Sequence, residues 1–204
     1  MKIILASPRK ELLEVWGKHC GSFPQVEIVE GSVFDVKCDA LVSPANSFGI
    51  MDGGIDAQFT AYFGEKVQDQ LRLKILTHHQ GELLIGRAEI IETEHEEHPY
   101  LIAAPTMRVP MILDKSSINP YLATRATILA AKHSNEYEIN SICFPGMGTG
   151  VGRVSFDLCA HQMAKALAAT FVEKYRLPHS WIQASEEHQE LYQADPRDLQ
   201  FPDE

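Results

Sequence analysis

The chain has 204 residues, of which 45% are hydrophobic, and its 28 acidic against 18 basic side chains give a formal net charge of −10 at pH 7. This length allows one domain with a proper core and is too short for two full domains. The acidic balance argues against a broad nucleic-acid or membrane surface, which needs clustered Lys and Arg, and no apolar run approaches membrane-spanning length.

The first part of the chain alternates strand and helix patterns. Ile3–Leu5 is predicted to be a strand, and Ser7 followed by Pro8 is typical of a helix cap with proline in the first turn. The face of that helix is formed by Leu12, Val15, Trp16 and His19. Val26–Val29 alternates like a strand, and Ala40–Val42 has the uniformly apolar composition of a buried one.

Apolar residues every four positions predict one amphipathic helix that begins near Asp56. Its face is formed by Phe59, Phe63, Val67, Leu71 and Ile75. Further strands are predicted at Ala88–Ile91, Tyr100–Ala103 and Ile142–Phe144. Asn119 with Pro120 begins another helix, and Ser155 begins the helix that follows the last of these strands. Its apolar face is formed by Cys159, Met163, Leu167 and Phe171.

This alternation predicts an α/β fold, with a largely parallel sheet in a sandwich of helices and with ligands bound at the carboxyl ends of the strands. We expect a single domain over residues 1–184, in which Trp181–Ala184 forms a short last strand. Residues 185–204 are acidic and polar, a composition that predicts a weakly ordered tail.

The spacing of the four cysteines predicts their redox state and hence the cellular compartment. Cys20, Cys38, Cys143 and Cys159 are far apart in sequence, form no C-x-x-C pair, and mostly lie in apolar runs. We therefore expect reduced core thiols in a cytoplasmic protein rather than disulfides or a zinc site. The apolar run at residues 1–8 is too short for a signal peptide, and we therefore predict that it forms the first strand.

Two loops rich in glycine each connect a predicted strand to a predicted helix. The first lies within Ala40–Asp56 and the second within Ser141–Gly152. Glycine lets backbone N–H groups turn toward a ligand, and a helix N-terminus behind the loop adds donors and a positive dipole end. Together the loops could hold a diphosphate, although neither matches a named phosphate motif. The alternative is a pair of ordinary strand-to-helix turns.

Together these loops resemble those of the macro domain, an ADP-ribose-binding family, and the resemblance covers roughly residues 26 to 175. The first loop matches over Asp39–Asn46 and then over Gly53–Asp56, and the second matches over Ser141–Gly150. The resemblance implies a three-layer α-β-α sandwich with a mixed, largely parallel central sheet. Three departures from the family pattern follow. Ser32 replaces an aspartate that reads adenine, Ser43 replaces an asparagine, and the aromatic residue after Val151 is missing.

The resemblance also implies roles for individual residues. Asp56 would orient or activate water near the distal ribose, and Asn46 would hold the ribose hydroxyls; the residue types alone also allow a plain helix cap and a turn residue. An anionic Asp56 would be favoured by the helix N-terminus. The predicted ligand-binding positions are Ser32, Ala45, Gly53, Gly54, Ile55, Pro145, Gly148, Thr149, Gly150, Val151 and Gly152. Backbone amides of both loops, with the Thr149 hydroxyl, would bind the phosphates.

Two functions are compatible with these features, and a third is disfavoured by the intact pair of loops. The first is hydrolysis of an ADP-ribosyl bond in a protein adduct or a small metabolite, without a metal or another cofactor. The second is a non-catalytic module that binds ADP-ribose or another nucleotide. The third is an assembly component that binds no ligand. Asn46 and Asp56 favour the enzyme, whereas the changes at Ser43 and after Val151 favour the binding module.

Weaker candidates lie outside the two loops. Arg108, in the rigid segment 104–110, can reach a phosphate or a base, but a pairing with a surface carboxylate is the simpler expectation. His78-His79 and Glu92–His98 contain metal-capable side chains without the spacing of a catalytic zinc site, which favours a solvated hairpin tip. Cys143 is a poor nucleophile candidate inside a buried strand with no basic neighbour.

Overall fold

The computed structural model describes residues 1–172 and 176–192. Six strands lie within these residues: β1 (Lys2–Ser7), β2 (Val26–Glu30), β3 (Ala40–Ser43), β4 (Glu89–Glu92), β5 (Tyr100–Ala103) and β6 (Ser141–Phe144). The α-helices there are α1 (Lys10–Cys20), α2 (Gly54–Phe63), α3 (Lys66–His79), α4 (Asn119–His133), α5 (Phe156–Leu167) and α6 (Trp181–Gln189). Short turns of other helix types span Val33–Asp35 and Ala168–Val172.

The strands form one sheet in the order β2-β1-β6-β3-β5-β4. All neighbouring pairs are parallel except β4 and β5, which form an antiparallel hairpin at one edge. Strands β3 and β6, which precede the two glycine-rich loops, are direct neighbours, with Ala40 opposite Ile142 and Leu41 opposite Cys143. The predicted mixed, largely parallel sheet is therefore confirmed.

Helices cover both faces of the sheet because successive strand residues point to opposite sides. On one face, β1, β3 and β6 pack against α1, α4 and α5, with Trp16 fully buried among them. On the other face, the alternate residues of the same strands pack against α2 and α3, with Phe59 and Leu71 at the centre. These two cores make a three-layer α-β-α sandwich, as the resemblance implied.

The predicted long helix from Asp56 to Ile75 is wrong, because the chain forms two helices there. α2 ends at Phe63 and α3 begins at Lys66. Gly64 between them has φ of 87°, in the left-handed region that favours glycine, and its N–H donates to the Thr60 carbonyl. The four-residue spacing of apolar side chains continues across the break because both helices pack on the same face of the sheet.

The C-terminal prediction is also wrong in part. Trp181–Ala184, predicted as a strand, belongs to helix α6, whose cap is Ser180 with its hydroxyl accepting from the Gln183 N–H. Residues 185–189 of the predicted tail continue this helix, and residues 193–204 lie outside the described residues. The two residues after α6 are packed against the rest of the fold, since Leu191 is buried and Glu190 pairs with Lys165 at 2.5 Å.

All four cysteines are buried and unbridged. A hydrogen bond with Cys38 and burial raise the pKa of the Cys143 thiol well above its usual range, which disfavours the nucleophilic thiolate, as predicted. Across residues 1–172 and 176–192, no helix has the length and apolar character needed to cross a membrane.

Candidate ligand-binding cleft

A cleft of about 450 Å³ opens at the carboxyl ends of β1, β3 and β6, where both glycine-rich loops meet. Its volume lies in the range of small-molecule sites. The structure brings every predicted site residue to this cleft: Ser32, Ala45, Asn46, Gly53, Gly54, Ile55, Asp56, Pro145, Gly148, Thr149, Gly150, Val151 and Gly152. The larger cavity of about 1250 Å³ between α6 and residues 113–116 contains none of them.

The Asn46 side chain organises the first loop. Its Oδ1 accepts from the N–H groups of Phe48 and Ile50 at 3.1 and 3.3 Å, and its Nδ2 donates to the Ile50 carbonyl at 2.7 Å. Three of its four hydrogen-bonding positions are thus used within the loop, and the second hydrogen of Nδ2 is the one that can reach a ligand. Asn46 therefore acts as a turn residue and also lines the cleft.

The N-terminus of α2 faces the same cleft. Gly53 is its N-cap residue, and no side chain caps the first turn. A Cβ built at Gly53 or Gly54 would meet no atom within 4 Å, so the space beside this backbone is open. The N–H groups of Gly54 and Ile55 are in the first turn, where helical N–H groups have no intrahelical acceptor, and they suit an anionic group.

Asp56 is buried at the side of the cleft, and its environment differs from the predicted one. It is the third residue of α2 rather than its cap, and it accepts a hydrogen bond from the Ser43 hydroxyl at 2.5 Å. Burial raises the pKa of Asp56 to about 6, against the opposing effect of that hydrogen bond. Loss of hydration on burial thus outweighs the stabilisation of the anion that the helix N-terminus was expected to provide.

The second loop is a tight turn closed by backbone hydrogen bonds. The N–H of Val154 donates to the Gly148 carbonyl at 3.1 Å, and the N–H of Arg153 donates to the Gly150 carbonyl at 3.1 Å. The Thr149 hydroxyl donates to the Gly146 carbonyl at 3.2 Å. The sequence predicted that this hydroxyl would donate to a phosphate, but in the structure its proton is used within the loop.

The glycines of this loop differ in what surrounds them. A Cβ at Gly152 would lie 2.5 Å from the Gly148 carbonyl oxygen, and a Cβ at Gly146 would lie 2.6 Å from the Thr149 hydroxyl. A Cβ at Gly150 would meet nothing within 4 Å. Gly146 and Gly152 are thus required by the packing of the loop itself, whereas Gly150 borders open space in the cleft.

Comparisons with known proteins identify this arrangement. A family profile described as Macro domain matches residues 42–163, which contain both loops. The chain belongs to the macro domain family. An uncharacterized protein of Aquifex aeolicus is 31% identical over 143 residues, which is 70% of this chain and 80% of that protein.

Solved macrodomains share the fold. The macrodomain of Mycobacterium tuberculosis DarG superposes with a TM-score of 0.56 at 22% identity, covering 67% of this chain and 86% of that one. Thermosipho africanus DarTG, solved in complex with ADP-ribose, gives a TM-score of 0.55 at 17% identity, covering 69% of this chain and 38% of that one.

At the end of the cleft near β2, Ser32 is used for local structure in this macro domain. Its hydroxyl accepts from the Phe34 N–H at 3.4 Å, and its own N–H donates to Asp35 Oδ2 at 3.3 Å. This reciprocal cap begins the turn Val33–Asp35. The Ser32 hydroxyl keeps its own proton to donate to a ligand.

The macro domain also brings two residues to the cleft that the sequence did not indicate. Arg9 is the N-cap residue of α1, where Ser7 and Pro8 had been predicted to begin the helix, and its guanidinium lies 5.8 Å from the centre of the Phe156 ring. Both side chains line the cleft. Arg9 is the only cationic side chain that lines it within the described residues. Its position after a parallel strand was the available clue.

The weaker candidates of the sequence have structural roles. Arg108 forms a two-point ion pair with Glu82, at 2.7 and 3.3 Å, and covers the Phe48 ring at 5.0 Å, so the simpler expectation is confirmed. His98 was expected to be solvated, but it is buried and forms hydrogen bonds with the Val36 carbonyl and the Tyr62 hydroxyl. Within residues 1–172 and 176–192, no three His, Cys, Asp or Glu side chains form a group that could hold a metal ion.

Proposed function

We propose that this macro domain binds ADP-ribose or a derivative in the cleft between its two loops and hydrolyses an ADP-ribosyl bond there. The observation that carries the proposal is that both glycine-rich loops and the buried carboxylate of Asp56 line the same cleft. The family match supports the ligand class, and the ADP-ribose complex of Thermosipho africanus DarTG provides a precedent on the same fold.

The cleft suits a diphosphate despite the net charge of −10. The N–H groups at the start of α2 and those around Gly150 would donate to the two phosphates, and the α2 dipole adds a positive end. Open space at Gly53 and Gly150 lets the phosphates approach the backbone closely. Arg9 adds an exposed cation to the cleft lining and, with Phe156, offers a surface for stacking a base.

Hydrolysis would use Asp56 as the base that orients and deprotonates water. Its pKa of about 6 makes it a carboxylate at neutral pH, yet a stronger base than an ordinary aspartate. The remaining Nδ2 hydrogen of Asn46 would hold a ribose oxygen in place. Holding the water and the bond in line would supply several kcal/mol of the rate acceleration without a metal.

The second candidate is a module that binds ADP-ribose without cutting it. The observation that favours it is Val151, which stands beside the family's aromatic position with 52% of its surface exposed, so the distal ribose would be less tightly enclosed. Incubation with ADP-ribosylated protein and with ADP-ribose esters, followed by product analysis, separates the two. Release of free ADP-ribose or of the unmodified protein supports the enzyme, and binding without product supports the module.

ADP-ribose is expected to bind with micromolar affinity, which corresponds to about −8 kcal/mol. AMP should bind much more weakly because it lacks the second phosphate and the distal ribose, and with them the proposed contacts to Asn46 and to part of the loop amides. Isothermal titration calorimetry with both ligands measures the difference. Equal affinities, or no binding of either at millimolar concentration, would refute the assignment of the cleft.

Turnover is expected to fall as the pH drops below about 6, the pKa to which burial raises Asp56. The folded protein then holds this group as the neutral acid, which cannot accept a proton from water. Initial rates from pH 5 to 8 at saturating substrate, with folding checked at each pH by circular dichroism, test this. A rate that is flat through this range would exclude Asp56 as the base.

A further inference from the structure

The partner that holds Asp56 lies on a different element of the fold. Ser43 is the last residue of β3, with none of its surface exposed, and its hydroxyl donates to Asp56 Oδ1 at 2.5 Å. The backbone of Ser43 is held by the sheet, since it pairs with Ala103 and its carbonyl accepts from the Ala104 N–H at 2.9 Å. The hydroxyl is therefore presented to α2 from a fixed point.

We propose that Ser43 is a positioning residue for Asp56. The Ser43 hydroxyl holds Asp56 Oδ1 against the sheet and leaves Asp56 Oδ2 for water and ligand. This inference rests on the proposed function for its catalytic consequence, but the contact itself does not. Ser43 is not part of the cleft lining, so it acts through Asp56 and does not touch the substrate.

The chemistry of a hydroxyl suits this position. The macro domain pattern has asparagine here, whose side chain must turn its whole amide over to change from donating to accepting. A serine hydroxyl donates to the carboxylate and can turn to accept from the protonated acid. Ser43 can thus keep Asp56 in one orientation on both sides of its titration.

Few other groups compete for Asp56. Arg9 and Asp52 are the other charged side chains that line the cleft, and the pKa of Asp56 is set by burial, which raises it, and by Ser43, which lowers it. Removing the hydroxyl should therefore raise the pKa further. A hydrogen bond to a charged group is strong enough to move the midpoint by about one pH unit.

The test is carboxyl carbon-13 NMR titration of the full chain, with Asp56→Asn used to assign the signal. The parent midpoint is expected near 6. Ser43→Ala should raise it by about one pH unit. Ser43→Thr, which retains the hydroxyl, should restore the parent value. Ser47→Ala is the matched control, because Ser47 is a buried serine of the same loop and its loss should leave the Asp56 midpoint unchanged.

Turnover gives a second reading. Ser43→Ala should reduce kcat by up to about tenfold below pH 6, the factor that a shift of one pH unit produces, and by much less well above the new midpoint. A merely structural role lowers kcat equally at every pH. An unchanged midpoint in Ser43→Ala, or a pH-independent loss, overturns the proposal. If Ser43→Ala does not fold, Ser43→Cys, a weaker donor of similar size, must still raise the midpoint, by a smaller amount.

The two proposals fail separately. A shifted midpoint in a protein that releases no product leaves Ser43 as the positioning residue and removes the hydrolase function. Turnover by the parent with an unmoved midpoint in both Ser43→Ala and Ser43→Cys removes the role of Ser43 and leaves the hydrolase function standing.

Discussion

Asp56→Asn is expected to lower turnover by about two to four orders of magnitude, the range typical of losing an acid–base group. It should also make the folded protein more stable at neutral pH. The reason is that burial raises the pKa of Asp56 from 3.8 in its ordinary state to about 6 in the folded chain. Above pH 6 the folded state holds a buried anion that water would solvate better, and the amide removes that cost.

The size and direction of the stability change follow from proton linkage. Between the two pKa values the folded state binds the proton more tightly than the unfolded state, so the parent loses stability as the pH rises through this window. The difference amounts to at most about 3 kcal/mol above pH 6 and vanishes below about pH 4. Urea denaturation of parent and Asp56→Asn at pH 4 and pH 7.5 measures it.

Asp69→Asn is the matched control for both readings. Asp69 is likewise an aspartate in the first turn of a helix, α3, but it is exposed and outside the cleft. Its replacement should change the free energy of unfolding by no more than about 0.5 kcal/mol and leave turnover unchanged. If Asp56→Asn turned over substrate like the parent, Asp56 would have no part in the reaction, and the non-catalytic module would be the better description.

Gly150→Val should reduce affinity for ADP-ribose by roughly a thousandfold, from micromolar to millimolar, while the melting temperature stays near that of the parent. The backbone at Gly150 is outside the left-handed region, and a Cβ there meets no atom within 4 Å, so valine fits the free protein. In the proposed binding mode, the space that valine fills is the space through which a phosphate would approach the loop amides. Calorimetry and thermal unfolding of the same sample provide both readings.

Two other glycines complete this design. Gly17→Val places a side chain in equally open space on α1, away from the cleft, and should bind ADP-ribose like the parent. Gly152→Val forces a Cβ to within 2.5 Å of the Gly148 carbonyl oxygen, so it should lower the melting temperature. Full affinity in Gly150→Val would show that the second loop does not hold the phosphates.

The sequence predicted the sheet and both loops because these depend on local patterns. Short apolar runs mark β3 and β6, and the glycines after each strand mark the turns, so the position of Asn46 and Gly150 at one edge of the sheet follows from parallel pairing. The break at Gly64 was missed because periodicity reports which face is buried and not whether the backbone is continuous. Trp181–Ala184 is too short for its apolar pattern to distinguish strand from helix.

The electrostatics of the site could not be predicted in the same way. The pKa of Asp56 depends on how completely α2 buries it and on a hydroxyl 13 positions earlier in the chain, and both are properties of the packed fold. Arg9 and Phe156 are 147 positions apart and meet only because α1 and α5 pack on the same face of the sheet. The proton of Thr149 is likewise committed by the shape of its own turn.

The direct pairing of β3 with β6 has a consequence for how a ligand enters. Both glycine-rich loops follow adjacent strands, so their separation at the base is one interstrand spacing of about 4.8 Å, set by backbone hydrogen bonds. If the cleft binds its ligand as proposed, the two loops are already held at a fixed spacing at their bases, and we expect little conformational entropy to be lost when the ligand binds. Crystals of the free protein and of its ADP-ribose complex should superpose in both loops to within about 1 Å.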